Sequence, residues 1–557
     1  MRDPDPTPQE APGGGAVGSA ALALWRAMLE QPQAILDAQI ALATQWSEVA
    51  LSSVTAALPR AAAPLIEPQA GDRRWNHPAW SENSIFDAMK QGYLLAARAL
   101  LDSVDAAPGI DDATKTRIRF FAQHFCDALS PTNFAFLNPA VIEETARSGG
   151  ANLERGIRHI IDDLEHNGGR PALVDRSAFT VGETVAATRG SVVFRNDLIE
   201  LIQYAPTTPD VYARPLLIVP PWINKYYIFD LQPENSFVKY ALDNGLQTFV
   251  ISWRNPDAAQ AGVTFDDYLF EGALAAASVV REIAGTPDLN TIGYCIGGTL
   301  TAMALAYLAQ TDPASVHSAT FFAALTDFRE AGAIGALLGA EIVEGVEADM
   351  ARHGVFGADR MSSAFNLLRA NDLIWKVAID RYLLGKPAPA FDLLFWNDDA
   401  TAMPAAMHSY YLRNMYLHNK LARGELVVRD VALDLGAIQT PTYLVATIED
   451  HIAPWKSVYK MTGLFGGDVR FRLAHAGHIA GIINPPAAQK GTHWTNEATP
   501  GDPDAWLAQA QPHPGSWWPD WLEWIAARSG ERKGAPAGVG TQKYPALDRA
   551  PGTYVFG

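Results

Sequence analysis

Leu289-Asn290-Thr291-Ile292-Gly293-Tyr294-Cys295-Ile296-Gly297-Gly298 is the stretch that decides how this chain folds. The LNTI run has the character of a buried strand, and TLTAMALAYLA (299–309) continues as a helix. A cysteine held between glycines on a strand-to-helix turn matches the nucleophile elbow, with a thiol where a hydroxyl is more usual. The glycines have a mechanical purpose. A nucleophile on a strained turn needs small neighbours so that strand and helix can approach closely. The same turn aims the Ile296 N–H, at the helix N-terminus, to where an oxyanion would form. The competing reading is a glycine-rich turn around a buried cysteine, and this motif alone leaves the two open.

Working outward, the short apolar runs PLLIVPP, QTFVISW, NTIGYC, ATFFAAL, PTYLVAT and DVRFRLA alternate with helical segments. Buried strands in that rhythm imply a mostly parallel, doubly wound sheet, and VVFRNDLIELIQYAP (192–206) ahead of them reads as paired strands. Asp450 stands just past PTYLVAT and His478 just past DVRFRLA. The order Cys295, Asp450, His478 is the nucleophile–acid–base order of α/β-hydrolases. Asp327 and Glu449 are rival acids, and His451 and His475 are rival bases. A Gly-His step after the last strand favours His478. Together the three residues favour a catalytic reading over a structural one.

The expected fold is therefore an α/β-hydrolase-type, mostly parallel sheet with a helical cap insertion at about 327–432, preceded by a mostly α N-terminal domain. Two domains are also what 557 residues call for, since one core rarely supports so long a chain. The divisions expected are a disordered start (1–15), a helical domain (16–180), a catalytic domain (181–530) and an extended C-terminal tail (531–557). Within the helical domain Leu22, Trp25, Met28 and Leu29 share one face.

Composition excludes several function classes. A net charge of −18 argues against non-specific nucleic-acid binding. Two distant cysteines, Cys126 and Cys295, make no disulfide framework and suit a reducing compartment. The acid- and proline-rich start is unlike a signal peptide, and no apolar run reaches spanning length, so a cytoplasmic protein without a transmembrane segment is expected. The histidines show no ligand spacing, so no metal is expected. Cys126 reads as a buried helical residue, and the tryptophans at 494, 517, 518, 521 and 524 as packing residues.

At this point a resemblance appears. RRWNHPAWSEN, SPTNF, VPPWINKYYIFDLQPENS, VISWRNPD, GYCIGG, FDLLFWNDDAT, YYLRNMYL, EDHIAPW, GHIAGIINPP, HWTN and GSWWPDW together resemble the polyhydroxyalkanoate synthases of class I, from about Arg73 to the end of the chain. The resemblance implies a cysteine acyltransferase whose triad is Cys295, Asp450 and His478. It would polymerise 3-hydroxyacyl groups delivered as coenzyme A thioesters, short ones such as 3-hydroxybutyryl-CoA, given the GYCIGG elbow. Coenzyme A would enter as part of the substrate, with no cofactor. A homodimer at the surface of a polyester granule is the expected setting. Asn224, in PPWINKYYIFDL, is a candidate substrate contact, on the loop where hydrolases place a second oxyanion N–H. Arg369, in LLRANDLIW, is a candidate partner for a coenzyme A phosphate, with a plain surface arginine as the competing reading. A thioesterase or intracellular polyester depolymerase of the same fold is the alternative function. A non-catalytic granule-coat protein is a third, although a pure binder needs none of the three triad residues.

Overall fold

The hairpin expected from VVFRNDLIELIQYAP is present: β1 (Gly190–Arg195) and β2 (Ile199–Tyr204) pair antiparallel, with Ser191 opposite Gln203. The six apolar runs follow as β3 (Leu216–Val219), β4 (Thr248–Trp253), β5 (Leu289–Tyr294), β6 (Val316–Phe322), β7 (Thr442–Thr447) and β8 (Val469–Ala474). Two further strands, β9 (Thr492–Thr495) and β10 (Gln511–Pro514), complete a ten-stranded sheet in the order β1-β2-β4-β3-β5-β6-β7-β8-β9-β10. All neighbouring pairs from β4 to β8 are parallel, while the pairs outside them are antiparallel. The parallel strands are buried along nearly their whole length, which is why their sequences read as continuous apolar runs rather than alternating ones. The fold is that of the α/β-hydrolases. The strand order changes direction around β3, so the loops after β3 and β5 open at the crevice where such sheets place their ligands.

This computed structural model describes residues 64–69 and 71–557, so the expected disordered start (1–15) and the face expected from Leu22, Trp25, Met28 and Leu29 lie outside the described residues. The chain separates into two compact units, Met1–Leu173 with Phe365–Pro389, and Val174–Ala364 with Ala390–Gly557. The stretch at 327–432, expected as one insertion, is thus divided between them, with Phe365–Pro389 in the first. The ten-stranded sheet lies wholly in the second unit.

In the first unit the four longest helices are Ser84–Asp105, Asp112–Ala128, Pro139–Ser148 and Ala151–His166. Asn83 starts the first of these by accepting the Ile85 and Phe86 N–H groups at 3.0 and 3.3 Å. Cys126 is buried in the second. The fourth helix turns small and polar residues inward. Asn152 Nδ2 donates to the Leu383 carbonyl at 2.8 Å, and Asp163 accepts Arg381 Nε at 2.6 Å. A Cβ at Gly156 would fall 1.8 Å from the Tyr382 oxygen, so glycine is required there.

In the second unit, residues 531–557 run over the sheet instead of trailing from it. Arg532–Gly534 pairs with Asp210–Tyr212, and the chain then lies along β1. Leu547 N–H donates to the Val192 carbonyl, Val192 N–H to Asp548 and Ala550 N–H to Gly190, at 2.8, 2.8 and 3.0 Å.

Candidate active site

The turn between β5 and the helix Ile296–Thr311 puts Cys295 at φ 54°, ψ −124°, a conformation a residue with a Cβ adopts only under constraint. The constraint is visible at each glycine. A Cβ at Gly293 would lie 2.6 Å from the Gly298 Cα, one at Gly297 2.4 Å from the Val219 oxygen, and one at Gly298 2.3 Å from the Ala324 Cβ. Strand, helix and neighbouring loop meet with no room for side chains. Cys295 N–H still donates to the Phe322 carbonyl at 3.0 Å, so the turn begins as a continuation of the sheet. Ile296 opens the helix, and its N–H therefore lacks an intrahelical acceptor. The Cys295 side chain is half-buried.

Asp450 and His478 arrive from the ends of β7 and β8. Asp450 Oδ1 accepts the Ile452 and Ala453 N–H groups, both at 2.9 Å, and Oδ2 accepts the Thr447 hydroxyl at 3.2 Å. The second oxygen also accepts His478 Nδ1–H at 2.7 Å. Cys295 lies close enough to the imidazole to act on its charge. Burial disfavours a charged ring, but the Asp450 carboxylate, then Cys295, outweigh it and push the His478 pKa up to about 10. Tyr294 stacks on the ring at 5.3 Å between centroids and donates its hydroxyl to the His478 carbonyl at 3.0 Å.

The loop carrying His478 is pinned from below. Trp517 Nε1–H and Trp518 Nε1–H donate to the Gly481 and Ile482 carbonyls, both at 2.9 Å. Packing was the expected role of these tryptophans, and both are buried. Their additional grip on the histidine loop was not legible, because it joins positions 36 apart in sequence. Two further residues near the thiol went unnoticed in sequence, Tyr411 and Tyr416. Burial, Tyr416 and Cys295 together push Tyr411 well above the ordinary phenol range, and burial and Cys295 do so for Tyr416. The YYLRNMYL motif was the only signal that could have marked them.

Two of the rival residues differ in their surroundings. Asp327 is buried, pairs with Arg329 at 2.5 Å and accepts Asn419 Nδ2–H at 3.1 Å. His475 directly follows β8, three residues before His478, but is exposed where His478 is buried. Asn224 Nδ2–H donates to the Trp396 and Asn397 carbonyls, both at 3.3 Å, so its amide joins the loop after β3 to the segment 392–401. Arg369 lies in the first unit, half-exposed and paired with Asp372. Pro220 and Pro221 have no N–H, which makes that of Trp222 the first available after β3, and it makes no backbone hydrogen bond. Among the described residues no cluster of His, Cys, Asp or Glu could hold a metal ion, and no helix is long and apolar enough to cross a membrane.

Comparison with known proteins bears directly on this arrangement. The α/β-hydrolase fold family matches residues 214–485, and the family described as poly-beta-hydroxybutyrate polymerase (PhaC) N-terminus matches 71–241. A poly(3-hydroxyalkanoate) polymerase of Methylorubrum extorquens is 45% identical over 531 residues, 95% of this chain and 87% of the relative. The chain belongs to the poly(3-hydroxyalkanoate) polymerase family. The polymerase subunit of Cupriavidus necator is 44% identical over 87% of this chain and 83% of its own. Polymerase 2 of Ectopseudomonas oleovorans is 42% identical over 88% and 87%. In this family member the elbow, the two strand-end residues and the loop after β3 all lie within the segment matched as an α/β-hydrolase.

Proposed function

We propose that this protein polymerises (R)-3-hydroxyacyl groups from coenzyme A thioesters, with Cys295 as the acyl carrier. The observation that carries this reading is the Asp450–His478 hydrogen bond beside Cys295, which sits on a strained strand-to-helix turn. Asp450 holds His478 by Nδ1, and the imidazole takes up the thiol proton of Cys295. The Cys295 sulfur then attacks the thioester carbonyl. The Ile296 and Trp222 N–H groups receive the developing oxyanion. Collapse breaks the carbon–sulfur bond to coenzyme A, and His478 returns a proton to the departing thiolate.

Acylation changes the histidine. Once Cys295 is a thioester it carries no charge, so one of the influences raising His478 is gone and burial draws the ring back toward a base. It can then take the proton of a 3-hydroxyl group whose oxygen attacks a second acyl thioester. One ester bond forms, one thiol leaves and the chain grows by one unit. A cysteine suits this cycle because thioester exchange is nearly neutral in energy, whereas a serine ester would be a poorer donor to a hydroxyl. The substrate is short-chain, 3-hydroxybutyryl-CoA being the type. The protein works as a homodimer in the cytoplasm, at the surface of polyester granules.

Incubation with 3-hydroxybutyryl-CoA tests the reading. It requires insoluble polyester and free coenzyme A from the intact chain, and neither from a folded Cys295→Ala variant. Soluble 3-hydroxybutyrate in place of polymer would identify a thioesterase. Polymer from Cys295→Ala would remove Cys295 from the mechanism.

A further inference from the structure

The loop after β3 is fastened at almost every residue. The Pro220 carbonyl accepts Trp253 Nε1–H at 2.9 Å, and the Trp222 and Ile223 carbonyls accept the Thr401 hydroxyl and N–H at 2.5 and 3.0 Å. The Lys225 carbonyl accepts Trp396 Nε1–H at 2.6 Å. These bonds come from residues beside the loop in the fold. The remaining one comes from the far end of the sequence. Lys225 is only 5% exposed, and its ammonium donates to the Gly557 carbonyl. Asn255 Nδ2–H donates to the same oxygen at 3.1 Å, while its Oδ1 accepts Ala402 N–H at 2.8 Å.

The route by which residues 552–557 reach that point is equally specified. Glu200, fully buried, accepts the Thr553 and Tyr554 N–H groups at 2.9 and 3.0 Å and the Thr553 hydroxyl at 2.8 Å. A Cβ at Gly552 would lie 2.2 Å from the Glu200 carboxylate, so only glycine permits the approach. Val555 is buried, whereas Phe556 is largely exposed. Nothing in the packing of Phe556 accounts for the chain continuing to Lys225, and the ammonium does. Burial pushes the Lys225 pKa down and the Asp399 carboxylate opposes this, while the Gly557 oxygen accepts a hydrogen bond from the ammonium.

We propose that Lys225 and Gly557 form a clasp that positions the loop carrying the Trp222 N–H, which makes Lys225 a positioning residue for acyl transfer to Cys295. The inference rests on the reading of Trp222 as an oxyanion donor given above. Without the Gly557 acceptor the ammonium keeps the Asp399 charge but loses its hydrogen-bond partner, and the loop three residues away shifts as it finds another.

The test uses the full chain, a chain ending at Val555, a Lys225→Met variant and the two changes combined. Ending at Val555 keeps the Glu200 contacts and the buried valine. The first readout is single-turnover acylation of Cys295 by 3-hydroxybutyryl-CoA, followed by intact mass. The second is alkylation of Cys295 by iodoacetamide, which needs no oxyanion donor. The shortened chain should acylate about tenfold more slowly at saturation, a part of the ~10²–10³-fold that loss of a whole oxyanion donor costs. KM and the alkylation rate should stay as in the full chain. In the Lys225→Met background the shortening should have no further effect. Normal acylation by the shortened chain, equal slowing in both backgrounds, or a parallel loss of alkylation would each overturn the clasp. An intact chain that takes up no acyl group on Cys295 would overturn the underlying reading as well, and so is told apart from failure of the clasp alone.

Discussion

At the scale of single residues, the two strand-end aspartates make opposite demands. Asp450 has both oxygens occupied, and one of its partners is His478 Nδ1. Asp327 spends its carboxylate on Arg329 and Asn419. Asp450→Asn should therefore lower kcat by about 10³–10⁴-fold, as loss of the orienting acid does in comparable triads. Asp327→Asn should cost far less, and parallel polymerisation assays will rank them. His478 supplies a second prediction. Its pKa, near 10, is raised by Asp450 and by Cys295, so in Cys295→Ala it should fall, as NMR titration of labelled histidine would show. The sign of the linked stability follows. A pKa raised in the folded state means that this contribution is fully present below the unfolded value near 6.5 and is lost as pH rises through about 10. In Cys295→Ala the loss should be smaller and complete at lower pH. Thermal melts of both proteins between pH 7 and 10 would check it.

At the scale of elements, the site depends on short segments locked by backbone contact. The loop after His478 has two indole N–H groups beneath it. Trp517→Phe keeps an aromatic ring but removes the indole N–H that the Gly481 carbonyl accepts, along with part of the buried bulk. We expect a stability loss of about 1–3 kcal/mol and a reduced kcat, measured by denaturant unfolding and by turnover of 3-hydroxybutyryl-CoA. An unchanged kcat would mean the tryptophan only packs. The helix Ala151–His166 shows how element-level patterning can mislead. Ile157, Ile160, Ile161 and Leu164 have the spacing of an inward face, yet they are 59, 38, 50 and 64% exposed. The inward face is instead built from Asn152, Gly156 and Asp163, because the chain it packs on, Arg381 to Leu383, offers carbonyls and a guanidinium rather than apolar side chains.

At the scale of the whole molecule, the course of residues 531–557 has consequences for solubility as well as for the site. β1 is an edge strand, and Leu547 to Ala550 occupies its outer side. A chain ending at Gly530 would expose that edge and leave Glu200 buried without the Thr553 and Tyr554 donors. It should aggregate, and light scattering beside the full-length protein will show whether it does. Much of the fold was legible beforehand. The six parallel strands are apolar runs because they are covered on both faces, and the elbow announces itself because only glycine fits where strand and helix touch. Both are local constraints, written in consecutive residues. The pairing of His478 with Asp450 and not Asp327, the Trp517 contact with Gly481 and the arrival of Gly557 at Lys225 are of another kind. Each joins residues separated along the chain whose types alone permit several partners. Which partner is met depends on how the sheet orders its strands and where the intervening loops close, so those contacts were decided only in the tertiary structure.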